Sequence, residues 1–286
     1  MAEPLNGPVL LIGVGGMLWR AWDALLRTKN IEPVSPSLTE LDITDSQSVD
    51  RVLTDRYRLV VNCAAWTDVD GAETREADAT RINGEGVANL ARRCRQTGAM
   101  LVHYSTDYVF DGNAGSPYAV DHPRQPLGAY GRSKAAGEEA LERSGAAHLL
   151  IRTSWMYAPW GNNFVRTMAR LMRDRESIRV VNDQRGRPTS AEHLAASTLK
   201  LLERNAAGTF HVTDGGECSW YQFATQIGKL LGSRCRVEPC TTAEFPRPAR
   251  RPAYSVLDLS RTMAQLGAMP PWPENLANVI ERLEPL

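Results

Sequence analysis

The apolar run Pro8-Val-Leu-Leu-Ile12 ends on Gly13-Val-Gly-Gly16, and Met17 to Thr28 then carries apolar residues at helical spacing. A strand that breaks into glycines and turns at once into a helix narrows the choice of fold more than any other feature of this chain. The glycines permit a tight turn and close backbone approach, and the amides of the helix N-terminus then face outward, where an anion such as a pyrophosphate can lie. Gly13 and Gly16 are candidates for that cradle, although the same residues taken alone describe only a tight turn. The alternation continues down the chain. A second strand is expected near Ile31 to Val34 and a helix over Asp45 to Tyr57. Leu59-Val-Val61 then forms a strand ending in Asn62-Cys-Ala-Ala65, and residues 73 to 98 are helical. Met100 to Ser105 is a strand, a helix starts at Tyr130 and runs through Gly137 to Arg143, and His148 to Arg152 is a further strand. This order predicts an α/β protein of Rossmann-like type, a doubly wound parallel sheet with its ligand site at the carboxyl ends of the strands.

Beyond Trp155 the rhythm loosens. Helices are expected over Gly161 to Arg173 and Glu192 to Arg204, and a strand over Gly208 to Val212. The stretch from Glu238 to Pro252 is rich in Pro and Arg and should resist regular structure. The expected division is a dinucleotide-binding domain over 1–154 with a return segment at 186–212. A smaller substrate-binding lobe is expected from 155–185 and 213–286.

With 286 residues, 43% of them hydrophobic, the chain can bury a sizeable core. Its formal net charge is zero, so no global basic field exists to hold nucleic acid or an anionic membrane, and neither is expected as a partner. Met1 to Gly7 has no basic run, and Val9 to Ile12 is too short for a signal peptide or a membrane span. The cysteines at 63, 94, 218, 235 and 240 form no CxxC pair, which points to reduced thiols and a cytoplasmic protein. Cys235 and Cys240 have no His/Cys companions, so no metal is expected.

The second chemical motif is Tyr130-Gly-Arg-Ser-Lys134. Four residues apart on a helix, Tyr130 and Lys134 share a face, and an ammonium near a phenol favours the phenolate, bringing a poor acid toward working pH. Upstream, the strand ending Ser105-Thr106-Asp107-Tyr108 offers Thr106 as a donor to a substrate carbonyl. Trp155 follows a buried strand and is either a substrate contact or core. Asn83 either joins the catalytic network or satisfies buried backbone. Arg187 and Arg251 are candidates for a diphosphate, since the guanidinium fork suits phosphate, or are plain surface arginines. His103, within a strand, reads as core. No acid closes the second strand at Val34-Ser35, where an acid would bind a ribose 2′-hydroxyl and disfavour NADPH. The turn has one irregularity: Trp19 stands where a third glycine would let helix and strand pack closely.

Taken together, these segments resemble the dTDP-4-dehydrorhamnose reductases, within the extended short-chain dehydrogenase/reductase superfamily. The resemblance runs from about Val9 to Gly267. It is carried by Gly13-Val-Gly-Gly-Met-Leu18, Leu41-Asp-Ile-Thr-Asp45, Asn62-Cys-Ala-Ala-Trp-Thr-Asp-Val-Asp70, Ser105-Thr-Asp-Tyr-Val-Phe-Asp-Gly112 and Tyr130-Gly-Arg-Ser-Lys134, and then by Arg152-Thr-Ser-Trp155, Asn163-Phe164, Asp183-Gln184, Gly186-Arg-Pro-Thr189 and Ser219-Trp220. It implies that the backbone of Gly16, Met17 and Leu18 lines a cofactor pyrophosphate, that Asp42 and Ile43 border its adenine, and that Ala64, Ala65 and Trp66 run past its ribose. Thr106, Tyr130 and Lys134 are the implied catalytic set, with Lys134 also holding the nicotinamide ribose. Thr106, Asp107 and Trp155 are implied to contact a sugar nucleotide. The implied reaction is NADPH- or NADH-dependent reduction of dTDP-4-dehydro-L-rhamnose to dTDP-L-rhamnose, with a homodimer left open. Two alternatives stay open: the same chemistry on another nucleotide sugar, or a non-catalytic regulatory subunit of the same fold, as in the methionine adenosyltransferase beta subunit.

Overall fold

The structure, a computed structural model, describes residues 6–285. Met1 to Leu5, most of the segment read as lacking a leader pattern, and Leu286 lie outside the described residues. Strands β1 (Val9–Ile12), β2 (Leu59–Asn62), β3 (Met100–Thr106) and β4 (His148–Thr153) are joined in chain order by the short β5 (Met156–Tyr157), β6 (Ser177–Val181), β7 (Arg185–Gly186), β8 (Thr189–Ser190), β9 (Gly208–His211), β10 (Cys218–Ser219) and β11 (Arg236–Cys240). The central sheet is parallel throughout, in the order β1-β2-β3-β4-β9.

Its strands are apolar on both faces because helices cover both. Val9, Leu11, Leu59, Val61, Val102, Leu149 and Ile151 point into one core, and Leu10, Ile12, Val60, Leu101 and Leu150 into the other. On the first face lie α1 (Met17–Thr28) and, from the chain's return, a helix over Ala191–Glu203. The second face is covered by α2 (Ser46–Val52), whose N-cap Asp45 accepts from the amide of Gln47, and by two later helices. Between β2 and β3 the chain forms α3 (Val69–Ala72), α4 (Glu76–Thr80), a π-helical turn over Arg81–Glu85, and α5 (Gly86–Thr97), which ends on Gly98 in the left-handed region. The helix expected over 73–98 is therefore interrupted, and Asn83 sits in the π turn. Helix α6 (Ala129–Ser144) carries Tyr130 and Lys134.

The second strand expected at Ile31 to Val34 is reduced to one bridge, Val34 to Leu10, held by Leu11 N–H to Val34 O at 2.9 Å and Val34 N–H to Val9 O at 2.8 Å. Pro33 and Pro36 flank it and supply no N–H for a longer ladder. Val34 lies on the side of β1 away from β2, so the chain reverses direction across the sheet between β1 and β2, and the crevice at the ends of these two strands is the switch point where such folds bind ligands.

A third apolar cluster stands apart. It gathers residues of α7 (Phe164–Asp174), β6, α9 (Trp220–Leu230, after α8, Ala191–Glu203) and α11 (Trp272–Glu281, after α10, Ser260–Leu266), including Val165, Ile178, Phe223, Ile227 and Leu276. Within it the expectation for 238–252 needs correcting. Glu238, Pro239 and Cys240 belong to β11, which pairs in parallel with β6. The two form a separate two-stranded sheet, so β11 is an edge strand, where a proline is tolerated. The remaining residues, 241–252, are irregular apart from a turn.

Candidate active site

The glycine turn is built as its residue types require. Gly13 has φ +103°, and a Cβ there would stand 2.7 Å from the amide nitrogen of Ala64, so glycine alone lets β1 end so close to the loop after β2. Gly15, between the two candidate glycines, also has a positive φ, +83°, and open space beside it. Gly16 is the N-cap of α1, its amide bonded to Gly13 O at 3.0 Å. The first amides of α1 have no intrahelical acceptor, so the turn presents donors to an anion. Leu18 contributes only backbone, because its side chain is in the core. Trp19 turns sideways: its indole packs on the first core and Nε1 donates to Ser35 Oγ at 3.2 Å.

Ala64 and Ala65 follow β2, whose last residue, Asn62, accepts from Ala64 N–H at 3.1 Å and fixes the loop. Asn83 bonds both to backbone and to a side chain of the helix that bears Tyr130. Its Oδ1 accepts from Trp66 N–H at 2.9 Å, and its Nδ2 donates to Trp66 O at 3.1 Å and to Ser133 Oγ at 2.9 Å. Ser133 in turn donates to Tyr130 O at 2.8 Å, so Asn83 ties the Trp66 loop to the helix bearing Tyr130. Asp42 uses Oδ1 on the amide and hydroxyl of Thr44, at 2.9 and 2.8 Å. Ile43 is buried, its side chain pressed toward Gly86.

Thr106 ends β3 and donates to Asp107 Oδ1 at 2.9 Å. Tyr130 lies against the same pair. Burial first, and then the charge of Asp107, raise the Tyr130 phenol well above its ordinary value, while the neighbouring Thr106 hydroxyl pulls it back. The lowering expected from Lys134 is not found. Lys134 is buried and its Nζ donates to Tyr104 O at 2.6 Å, so the ammonium is held by β3 rather than by the phenol. Burial brings Lys134 down to about 8 and Asp107 up to about 6. Two glycines make this packing feasible. A Cβ on Gly131 would stand 2.2 Å from Tyr108 O, and one on Gly137 2.1 Å from Asn83 O.

Beneath the site lies a buried ion pair. Glu138, on α6, accepts from Arg152 of β4 at 2.9 and 2.7 Å and from Arg124 at 3.0 Å. His103 is buried and held neutral by burial and by Lys134, as expected of a core residue.

The other wall draws its tryptophans from the third cluster. Trp155 has φ +47°, unusual for a non-glycine residue, and its ring stacks on Trp220 at 3.6 Å. Gly186 leaves room for it, since a Cβ there would come within 2.6 Å of the indole. Trp155 is half-buried, in neither the open nor the fully packed state. Arg251 is not a plain surface arginine: it bonds Asp70 at 2.9 Å and stands over the Tyr108 ring, which meets Tyr130 edge-on at 6.0 Å. Arg187 is partly buried, with Nη1 on Gly216 O at 3.2 Å. The two arginines share no partner among the described residues. Tyr108 and Trp220, which lie within the motifs named above, pack against Tyr130 and Trp155 and join the candidate site residues. Among the described residues no group of His, Cys, Asp and Glu is arranged to hold a metal ion, and no helix is long and apolar enough to cross a membrane.

Residues 7–284 match the model of the RmlD substrate binding domain family. A dTDP-4-dehydrorhamnose reductase of Streptomyces griseus is 44% identical over 263 residues, covering 89% of this chain and 86% of that protein. A dTDP-4-keto-6-deoxy-D-glucose reductase of Streptomyces niveus is also 44% identical, over 252 residues, covering 87% of each. Among solved structures, a dTDP-4-dehydrorhamnose reductase of Bacillus anthracis in complex with NADP superposes with a TM-score of 0.92 at 36% identity, covering 96% of this chain and 99% of that one.

Proposed function

We propose, for a chain that belongs to the RmlD family of dTDP-4-dehydrorhamnose reductases, that it reduces the 4-keto group of dTDP-4-dehydro-L-rhamnose to give dTDP-L-rhamnose. It is an NAD(P)H-dependent sugar-nucleotide reductase with an α/β, Rossmann-like fold. The observation that carries the reading is the meeting of Thr106, Asp107, Tyr130 and Lys134 at the end of β3, next to the switch-point crevice. The glycine turn fits a dinucleotide, because Gly13 clears the loop after β2 and the first amides of α1 are free to take a pyrophosphate. When bound, NAD(P)H supplies the hydride.

The chain's own residues do the rest. Tyr130 donates its phenolic proton to the substrate oxygen as that oxygen becomes an alkoxide. Its raised pKa keeps it protonated at neutral pH, the state a proton donor needs. Thr106 turns its one hydroxyl proton from Asp107 to the same oxygen and orients the carbonyl. Lys134, fixed by Tyr104 O, places a cation on the same face of α6. Gly16, Met17, Leu18, Asp42, Ile43, Ala64, Ala65 and Trp66 form the cofactor wall, the first three through backbone. Asp107, Trp155, Arg187 and Arg251 are assigned to the sugar nucleotide, the arginines to its diphosphate. The dinucleotide-binding part comprises 1–154 and 186–212, and the substrate lobe 155–185 and 213–286. Five unpaired cysteines accord with a cytoplasmic setting.

The test is oxidation of NADH or NADPH by the purified chain, followed with dTDP-4-dehydro-L-rhamnose and with its epimer derived from glucose. One cofactor oxidised per sugar, with the rhamnose precursor turned over faster, is the expected result. Faster turnover of the other sugar would reassign the substrate. Dinucleotide binding with no oxidation of either would leave the regulatory-subunit reading in its place.

A further inference from the structure

The segment that follows β11 contains the run Phe245-Pro-Arg-Pro-Ala-Arg-Arg-Pro252. Three of these eight residues are proline, with φ fixed and no N–H to offer, so the run is stiff and cannot join a ladder. Fastening such a run at one point places the neighbouring residues as well. Its two ends are tied down separately. Thr242 donates from its amide to Asp183 Oδ2 at 2.9 Å and from its hydroxyl to Oδ1 at 2.7 Å. At the far end Tyr254 N–H donates to Gly112 O at 3.1 Å, and Pro252 lies so close to Gly112 that a Cβ there would come within 2.5 Å of it.

Between those ties the fastening is Asp70, in α3, 179 residues before Ala249. Among the described residues, every ion pair and every backbone hydrogen bond of residues 246–251 goes to this one carboxylate. Its Oδ1 accepts from Ala249 N–H at 3.1 Å and stands 2.9 Å from Arg251 Nη2, and its Oδ2 faces Arg247 Nη1 at 4.0 Å. Ala249 is buried, and the two arginines lie two residues to either side of it. Arg251 stands over the Tyr108 ring, and one small cavity is lined jointly by Val69, Tyr108 and Tyr130 and by Ala249, Arg250 and Pro252. The stiff run is thereby seated against the wall that carries Tyr130. Two guanidinium groups against one carboxylate leave a positive charge uncancelled, which a diphosphate can take.

We infer that Asp70 is a positioning residue for the sugar nucleotide: it acts through Arg251, pinning the 246–251 run at Ala249 and holding the guanidinium fork where the substrate's diphosphate arrives. The inference rests on the assignment of Arg251 to that diphosphate and goes beyond it by naming the group that sets the arginine's place.

The experiment is a double-mutant cycle on the full chain, read as the affinity for dTDP, a nucleoside diphosphate without the sugar, with nicotinamide-dinucleotide affinity measured alongside. Arg251→Leu should weaken dTDP about tenfold or more. Asp70→Asn keeps an acceptor for Ala249 N–H but loses the charge, and should weaken dTDP about three- to tenfold while dinucleotide affinity stays where it was. In the Arg251→Leu background the same change should cost less than about twofold, because its effect runs through the arginine. In turnover the loss from Asp70→Asn should fall on KM for the sugar nucleotide rather than on kcat. An Asp70→Asn variant that binds dTDP as well as the wild type does, or more tightly, would overturn the inference, as would losses that simply add in the double variant. Wild-type dTDP affinity in Arg251→Leu would be a different failure, removing the diphosphate assignment of Arg251 and the inference with it.

Discussion

The two walls of the site are built in opposite ways. The wall that holds Thr106, Tyr130 and Lys134 comes from β3 and α6, long regular elements locked from below by buried polar bonds: Lys134 to Tyr104 O, Asn83 to Ser133 and Trp66, and Glu138 to Arg152 and Arg124. The facing wall comes from strands of two residues and an irregular segment. Trp155 precedes β5 with a positive φ, and Arg251 is held by one ion pair to Asp70. Proton transfer needs groups held in place, and buried hydrogen-bonded charges supply that rigidity at the cost of leaving no slack if one is removed. Recognition of a sugar nucleotide asks for rings and forked cations, which irregular segments carry as well as regular ones and with more freedom to vary.

That contrast predicts unequal damage. Arg152→Leu removes the main partner of a fully buried carboxylate, and breaking such a pair costs about 3–5 kcal/mol. The unfolding free energy in denaturant should fall by that amount, and a loss under about 1 kcal/mol would show that Arg124 alone suffices for Glu138.

Asp107 comes next. Its folded pKa is raised to about 6 by burial, so the stability that protonation confers is present below the unfolded value near 4 and is lost as pH rises through 6. Asp107→Asn mimics the protonated form. It should match the wild type near pH 4 and become more stable by about 2–3 kcal/mol near pH 7, while losing activity. A stability difference that does not change across this window would mean that Asp107 is charged in the fold at little cost.

Trp155→Ala should do least to the fold. Loss of its stacking on Trp220 is worth about 0.5–1.5 kcal/mol beyond the apolar area that the half-buried ring covers. Sugar-nucleotide affinity should drop up to about tenfold with dinucleotide affinity kept. Unchanged substrate affinity in a folded variant would return the indole to a packing role.

The two walls also differed in how far the amino-acid sequence disclosed them. The parallel sheet, the glycine turn and the Tyr130–Lys134 pair were legible because each is a local pattern: apolar runs bounded by turns, glycines between strand and helix, two side chains one helical turn apart. What stayed hidden depends on distant neighbours. Nothing near Gly131 or Gly137 announces that Tyr108 O and Asn83 O will lie against them, and the partner of Lys134 is a carbonyl 30 residues away. Local pattern also overstated regularity, promising a strand at Ile31 to Val34 where flanking prolines leave one bridge, and an unbroken helix over 73–98 where a π turn brings Asn83 to Trp66. Arg251 was seen as a candidate for its charge alone; its tie to Asp70 spans most of the chain and is a product of the fold.

The central claim is that Tyr130 gives the proton from the rigid wall. It is tested most directly by single-turnover oxidation of bound NADH by dTDP-4-dehydro-L-rhamnose in the wild type and in Tyr130→Phe, with the affinities for both ligands measured alongside. The prediction is a rate about 10²–10⁴-fold lower in the variant, with both affinities kept within about twofold. A variant that turns over at the wild-type rate would contradict the assignment of Tyr130 as proton donor.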